Sequence, residues 1–240
     1  MPLVAGNWKM NGSPALVGDL VAGLAKRLGE TSVACEVSVC PPAHLLAAAV
    51  AEAGSRLAVG GQDCSPEAGP GAFTGEISAE MLAAAGCRHV IVGHSERRER
   101  HGETNALVRA KAERALEAGL VPIVCVGETK EQREAGEAIA VVSQQLRESL
   151  PEGYRAETAV VAYEPVWAIG TGLTATLDDI AEIHAALGSV MGSNRTPILY
   201  GGSVKPGNAA EILATAGVDG ALVGGASLKL DDFWAIVKAA

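Results

Sequence analysis

The chain has 240 residues, of which 48% are hydrophobic and 20% charged, so it can bury a sizeable core and is not typical of a disordered protein. Its net charge of −9 argues against nonspecific nucleic-acid binding. It has no apolar run long enough to cross a bilayer, and its N-terminus lacks the pattern of a signal peptide. We therefore expect no membrane partner, no nucleic-acid partner and a cytoplasmic location.

Short apolar runs alternate with helical patterns eight times along the chain. The runs are nearly continuous in apolar residues, which is typical of parallel strands covered on both faces. Between them, apolar residues recur three or four positions apart, as in amphipathic helices. The predicted strands are Leu3–Asn7, Glu36–Cys40, Leu57–Gly60, His89–Gly93, Val121–Val126, Ala159–Tyr163, Pro197–Tyr200 and Ala221–Val223.

Eight strand–helix units in this length predict an α/β fold of one architecture, a single (β/α)₈ barrel forming one catalytic domain over residues 1–240. A doubly wound open sheet is the competing fold. It normally carries GxGxxG after the first strand, whereas this chain reads GNWK there. No linker-like segment divides the chain, which favours the barrel.

The five cysteines form an odd set without a CxxC pair, which argues against a disulfide scaffold and a structural zinc site. We expect them to be buried as small hydrophobic side chains. The charged run 128–137 is interpreted as a solvated helix start.

A barrel of this kind has its active site at the carboxyl ends of the strands, where Asn7, Lys9, His94 and Glu164 are predicted to lie. Partial desolvation would raise the pKa of Glu164 toward that of a general base, although a salt-bridged strand end is the alternative. His94 precedes a possible helix start, which favours a neutral imidazole over a charged one. A purely structural histidine is the alternative, and a metal ligand is disfavoured because no paired ligand spacing is present.

Two glycine pairs follow the last two predicted strands, 201–202 and 224–225. Without Cβ atoms, their backbone amides can approach a phosphate closely, and tight turning alone is the alternative. The stretch from Glu164 to the glycines at 170 and 172 is apolar for a loop, which predicts a lid that closes over the site.

The sequence resembles the triosephosphate isomerase family along its whole length. The blocks that carry the resemblance are AGNWKMN (5–11), GAFTGEIS (71–78), VIVGHSERR (90–98), CVGET (125–129), AYEPVWAIGTG (162–172), YGGSV (200–204) and VGGAS (223–227).

The resemblance implies an isomerase that interconverts dihydroxyacetone phosphate and D-glyceraldehyde 3-phosphate through an enediol(ate), in glycolysis and gluconeogenesis, without metal or cofactor. Glu164 would be the base, His94 a neutral electrophile, and Lys9 would balance charge. Asn7 would orient the electrophilic groups, and Ser95 would hold the glutamate while the lid is open. The phosphate would be held by Gly170, Ser203, Gly224 and Gly225. The lid would comprise Pro165, Val166, Trp167, Ala168, Ile169, Gly170 and Thr171.

The resemblance also implies a homodimer, or a larger assembly, through the Gln62–Glu76 loop. Thr74 would reach toward the Asn7–Lys9 region of the second copy.

The sequence departs from the family pattern after the lid. Leu173 replaces the usual lysine, the segment 188–194 is trimmed, and no arginine follows His184 within the next four residues. We therefore expect an ion pair to Asp219 to be missing.

Two other functions remain open on the residues alone. A phosphosugar aldolase or synthase on the same barrel would need a strand-borne Schiff-base lysine or a metal set. A catalytically silent binding protein is disfavoured because Lys9, His94, Glu164 and the lid residues are intact.

Overall fold

The computed structural model describes residues 2–169 and 174–240, and its centre is a closed barrel of parallel strands. Each strand pairs with the next one in the chain, and β8 closes the barrel against β1. The predicted (β/α)₈ fold is confirmed. The strands are β1 Leu3–Asn7, β2 Glu36–Cys40, β3 Leu57–Gly61, β4 His89–Val92, β5 Val121–Val126, β6 Val160–Tyr163, β7 Ile198–Tyr200 and β8 Gly220–Val223.

Helices cover the barrel, and several begin where the sequence offers a cap. Ser13 accepts a hydrogen bond from Leu16 N at the start of α1, and Thr176 forms a capping box with Asp179 at the start of α9. The helices are α1 Pro14–Leu16, α2 Ala22–Glu30, α3 Leu46–Ala53, α4 Ala79–Ala84, α5 Ser95–His101, α6 Asn105–Glu117, α7 Lys130–Glu134, α8 Ala138–Ser149, α9 Leu177–Met191, α10 Ala209–Leu213 and α11 Leu230–Ala239. None of these described helices combines the length and apolar character needed to cross a membrane.

Two apolar layers hold the barrel together. One lies between the strands and the surrounding helices, and the other fills the barrel interior with small and branched side chains. The five cysteines are all buried, as expected. The interior layer is formed by Leu3, Ala5, Cys40, Ile91, Ile123, Cys125, Val160, Ala162, Leu199 and Leu222.

The expected loss of an ion pair at Asp219 is wrong. Arg195, which follows α9, donates from Nη2 to Asp219 Oδ2 at 2.6 Å and to the Gly217 carbonyl at 3.1 Å. A Cβ built at Gly188 would lie 3.4 Å from Arg195 Nε and 3.6 Å from its Cδ. The arginine therefore reaches Asp219 from beyond the end of the helix, across the face that Gly188 leaves free.

Candidate active site

The carboxyl ends of the strands surround a cavity of about 610 Å³. Seven of the predicted catalytic and substrate-binding residues line this cavity together. They are Asn7, Lys9, His94, Glu164, Ser203, Gly224 and Gly225.

Glu164 is the first residue after β6, and the residue as a whole is 1% exposed. Ser95 donates to its carboxylate from the backbone N–H at 2.9 Å and from Oγ at 3.2 Å. His94 Nε2 lies 2.9 Å from Glu164 Oε1. A Cβ built at Gly201 would lie 2.9 Å from Glu164 Cγ, so a glycine is required where the Glu164 side chain passes the residue after β7.

The expectation that the pKa of Glu164 is raised is wrong for this arrangement. Burial by itself raises the pKa of Glu164, but His94, the Ser95 N–H and Lys9 together outweigh it. The pKa of Glu164 therefore lies below its ordinary value while these contacts persist. Position at the strand end predicted the burial, but it could not predict how many donors would meet the carboxylate.

His94 precedes α5 and caps it with its own ring. Nδ1 accepts a hydrogen bond from the Glu96 N–H at 3.2 Å, so the proton of a neutral ring is assigned to Nε2, which faces Glu164. Burial by itself lowers the pKa of His94, but Glu164 outweighs it, and the pKa lies above its ordinary value in this contact.

Lys9 has a left-handed backbone with φ of 53°, which is uncommon for a residue with a side chain. Its N–H donates to Asn7 Oδ1 at 2.9 Å, and its carbonyl accepts from Gln62 Nε2 at 2.9 Å. Nζ lies 2.6 Å from Glu96 Oε1. Asn7 and Gln62 thus fix the strained turn, and the lysine side chain is directed into the mouth.

The loop after β8 opens toward the cavity. Gly224 is followed by a 3₁₀ turn over Gly225–Leu228, and a Cβ built at Gly225 would meet nothing within 4 Å. A Cβ built at Gly224 would lie 3.6 Å from Lys9 Cε, so the lysine stem passes over this turn. Exposed backbone amides beside a cation form an arrangement that can bind an anion.

The first part of the predicted lid is a 3₁₀ turn over Val166–Ala168. Trp167 Nε1 donates to Glu128 Oε1 at 2.8 Å, and Tyr163 OH donates to the same oxygen at 3.0 Å. The Arg133 guanidinium lies 5.2 Å from the Trp167 ring centroid. Some of the remaining predictions concern residues outside those that the structure describes. They are the predictions for Gly170, Thr171, the 170–172 hinge and Leu173.

Glu128 corrects the interpretation of the charged run as solvated. Its side chain is fully buried, although most of the run that follows it is exposed. Sequence reasoning missed it because its hydroxyl and indole donors come from residues 35 and 39 positions later in the chain. Glu96 and Gln62 were also missed, because the residue that they contact, Lys9, is distant in the chain. The available signals were that Glu96 is close to His94 in the sequence and that Gln62 begins the predicted interface loop.

The predicted interface loop carries exposed side chains. Thr74 is exposed, and so is Phe73, at 44%. Met10, in the loop after β1, is 96% exposed. Among residues 2–169 and 174–240, no group of three or more His, Cys, Asp or Glu side chains is placed to hold a metal ion.

A buried carboxylate beside a histidine, in one cavity with glycine turns whose amides can bind an anion, provides what a proton-transfer enzyme for a small phosphorylated compound requires. Comparison with known proteins narrows this class. The family model described as triosephosphate isomerase matches residues 2–240. The chain belongs to the triosephosphate isomerase family, and it is an isomerase.

Individual relatives agree over nearly their full lengths. The chain is 59% identical to the triosephosphate isomerase of Afipia carboxidovorans over 99% of its own length and 97% of the relative's. It is 56% identical to that of Xanthobacter flavus, with the same coverage of both chains. The crystal structure of triosephosphate isomerase from Bartonella henselae superposes with a TM-score of 0.91 at 45% identity, covering 99% of this chain and 98% of that one.

Proposed function

We propose that Glu164 is the base that moves a proton between the two carbons as this isomerase interconverts dihydroxyacetone phosphate and D-glyceraldehyde 3-phosphate. The observation that carries this assignment is a fully buried carboxylate at the end of β6, 2.9 Å from His94 Nε2 in the mouth cavity. The reaction as proposed uses only side chains and backbone groups of the chain, in one catalytic domain over residues 1–240.

The basicity of Glu164 would depend on its partners. Its present contacts with Ser95 and His94 lower its pKa against the effect of burial. When the carboxylate turns from Ser95 toward the substrate, those contacts are lost and burial remains. Its pKa then rises, which makes it a competent base near neutral pH. Ser95 would thus hold the unreactive position.

His94 would act as a neutral hydrogen-bond donor to the substrate oxygens. Its Nδ1 already accepts the Glu96 N–H, which leaves the Nε2 proton for the substrate once Glu164 has moved. A donor aimed at developing negative charge is worth about 3–4 kcal/mol in the transition state. Lys9 would balance the charge of the enediolate, and Asn7 would orient the lysine turn.

The phosphate would be bound by backbone amides after β7 and β8. Ser203, Gly224 and Gly225 line the same cavity as Glu164, and Gly170 would join them from the lid. Closure of the lid over Pro165–Thr171 would exclude water and keep the intermediate from losing its phosphate.

The assay that tests the reaction follows the two triose phosphates in coupled reactions, with chelator present. Glu164→Gln should lower kcat by about 10²–10⁴-fold and leave inhibition by inorganic phosphate unchanged. The control is Glu117→Gln, because Glu117 is exposed on α6, accepts a hydrogen bond from Arg114 and does not line the mouth cavity. Loss of phosphate binding together with kcat would show that Glu164 is structural.

We also propose that two copies of the chain associate through the Gln62–Glu76 loop. The enzyme would act in the cytoplasm, in glycolysis and gluconeogenesis. Exposed Phe73 and Met10 would be covered in such a dimer, and Thr74 would reach the lysine turn of the second copy. Light scattering should give twice the chain mass. Thr74→Arg should yield a monomer with lower activity, and an active wild-type monomer would contradict the proposal.

A further inference from the structure

Gln145 lies on α8, outside the barrel, and its side-chain amide contacts the backbone beside the proposed base. The Gly127 N–H donates to Gln145 Oε1 at 2.8 Å, and Gln145 Nε2 donates to the Gly127 carbonyl at 3.0 Å. One primary amide therefore pairs both hydrogen-bonding groups of the first residue after β5.

The strand geometry explains why this residue needs such a partner. The carbonyls of Val126 and Glu128 accept from Glu164 N at 2.8 Å and from Val166 N at 3.2 Å. Hydrogen-bonding groups alternate between the two sides of a strand, so those of Gly127 point away from β6. The Gln145 side chain forms its hydrogen bonds with Gly127 on that side.

Gly127 is also in direct contact with Glu164. A Cβ built on Gly127 would lie 1.8 Å from the Glu164 carbonyl oxygen and 3.2 Å from Glu164 Cβ. The backbone of Gly127 is not in the left-handed region, so this close approach is the reason that a glycine is required. Any displacement of Gly127 would displace the base.

We propose that Gln145 is a positioning residue for Glu164, acting through Gly127. This inference rests on the proposed function, because it assumes that Glu164 is the base. Gln145 does not line the mouth cavity, whereas the turns that would bind phosphate do. Its loss should therefore impair proton transfer without weakening substrate binding.

The first test compares two neighbouring glutamines on α8. Gln145→Met keeps the length and helix propensity of the side chain and removes both hydrogen bonds. Gln144→Met is the matched control, because Gln144 is exposed and its amide contacts Glu148. A displacement of the base by 1 Å can cost about 10²-fold in rate, so we expect kcat of Gln145→Met to fall about 10–100-fold.

Three further readouts separate positioning from a general structural defect. KM and the inhibition constant of inorganic phosphate should stay within about twofold of wild type, since the phosphate turns are untouched. The primary deuterium isotope effect on kcat should increase, because proton transfer becomes the slower step. Gln144→Met should match wild type in all of these measurements.

A second variant approaches the same contact from the other side. Gly127→Ala should show the same fall in kcat with KM unchanged, because its Cβ would displace the Glu164 carbonyl. Wild-type kcat in Gln145→Met overturns the proposal, and so does an equal loss of phosphate binding. Failure of both variants to fold would also overturn it, by assigning the amide to barrel stability. An inactive wild-type enzyme would instead refute the proposed function.

Discussion

Replacing Arg195 with methionine should destabilise the protein measurably without affecting catalysis. The change removes an ion pair to Asp219, whose side chain is 31% exposed, and a hydrogen bond to the Gly217 carbonyl. A half-exposed ion pair and one such hydrogen bond together are worth about 1–2 kcal/mol. For a domain of this size, that corresponds to a fall in Tm of roughly 2–8 °C.

The geometry at Gly188 allows a stricter test. Arg195 crosses the helix face that Gly188 leaves free. In the Arg195→Met variant that face is open, so adding Gly188→Arg should restore stability. In the wild-type background, the two guanidinium groups would compete for Asp219, and the gain should be smaller. Gly188→Ala measures the gain from helix propensity alone, about 0.8–1 kcal/mol.

The assay is urea unfolding of the four members of the double-mutant cycle, with kcat measured for each. We expect a coupling free energy of about 1 kcal/mol between positions 188 and 195. Additivity within about 0.5 kcal/mol would refute the idea that one arginine replaces the other. A lowered kcat in Arg195→Met would show that this ion pair also affects the mouth, at the opposite end of β8.

Three other predictions follow from buried groups. Glu128→Gln should weaken the hydrogen bonds from Trp167 and Tyr163 by about 1 kcal/mol and so release the lid. Inorganic phosphate should then bind about fivefold more tightly, and an unchanged affinity would contradict this prediction. The cysteines should resist a thiol reagent until the protein unfolds, because all are buried and burial raises the pKa of Cys64 to about 12; rapid native labelling would contradict this. Burial lowers the pKa of His184 to about 4, so the unfolded chain binds a proton at this residue at a higher pH than the folded chain does. Stability should therefore fall as the pH drops from about 6.5 to 4, and an equal dependence of stability on pH in His184→Asn would contradict this prediction.

The barrel was predictable because its strands are buried on both faces and read as continuous apolar runs. Every predicted strand bound lies within one residue of the structure. The differences occur at strand ends, where the backbone leaves the ladder. At Gly93, for example, φ is 66°, which ends β4 one residue earlier than the apolar pattern suggested.

The site was predictable only in part. Asn7, Lys9, His94 and Glu164 could be found because each lies at the carboxyl end of a strand or within two residues of it, and the strand ends converge. The contacts that fix them could not be found, since they join distant parts of the chain. Glu96 meets Lys9 across 87 positions, and the sequence contains no local pattern for such a pair.

Glu164 shows why the remaining information is three-dimensional. Its burial follows from its strand, but the sign of its pKa shift depends on donors supplied by His94 and Ser95, where α5 begins. These donors favour the carboxylate in one position only, whereas burial disfavours it in every position. A change in the side chain's direction is therefore enough to turn a stabilised anion into a stronger base. The backbone next to Glu164 must stay fixed while the Glu164 side chain moves, and the Gln145 amide restrains that backbone by its two hydrogen bonds to Gly127.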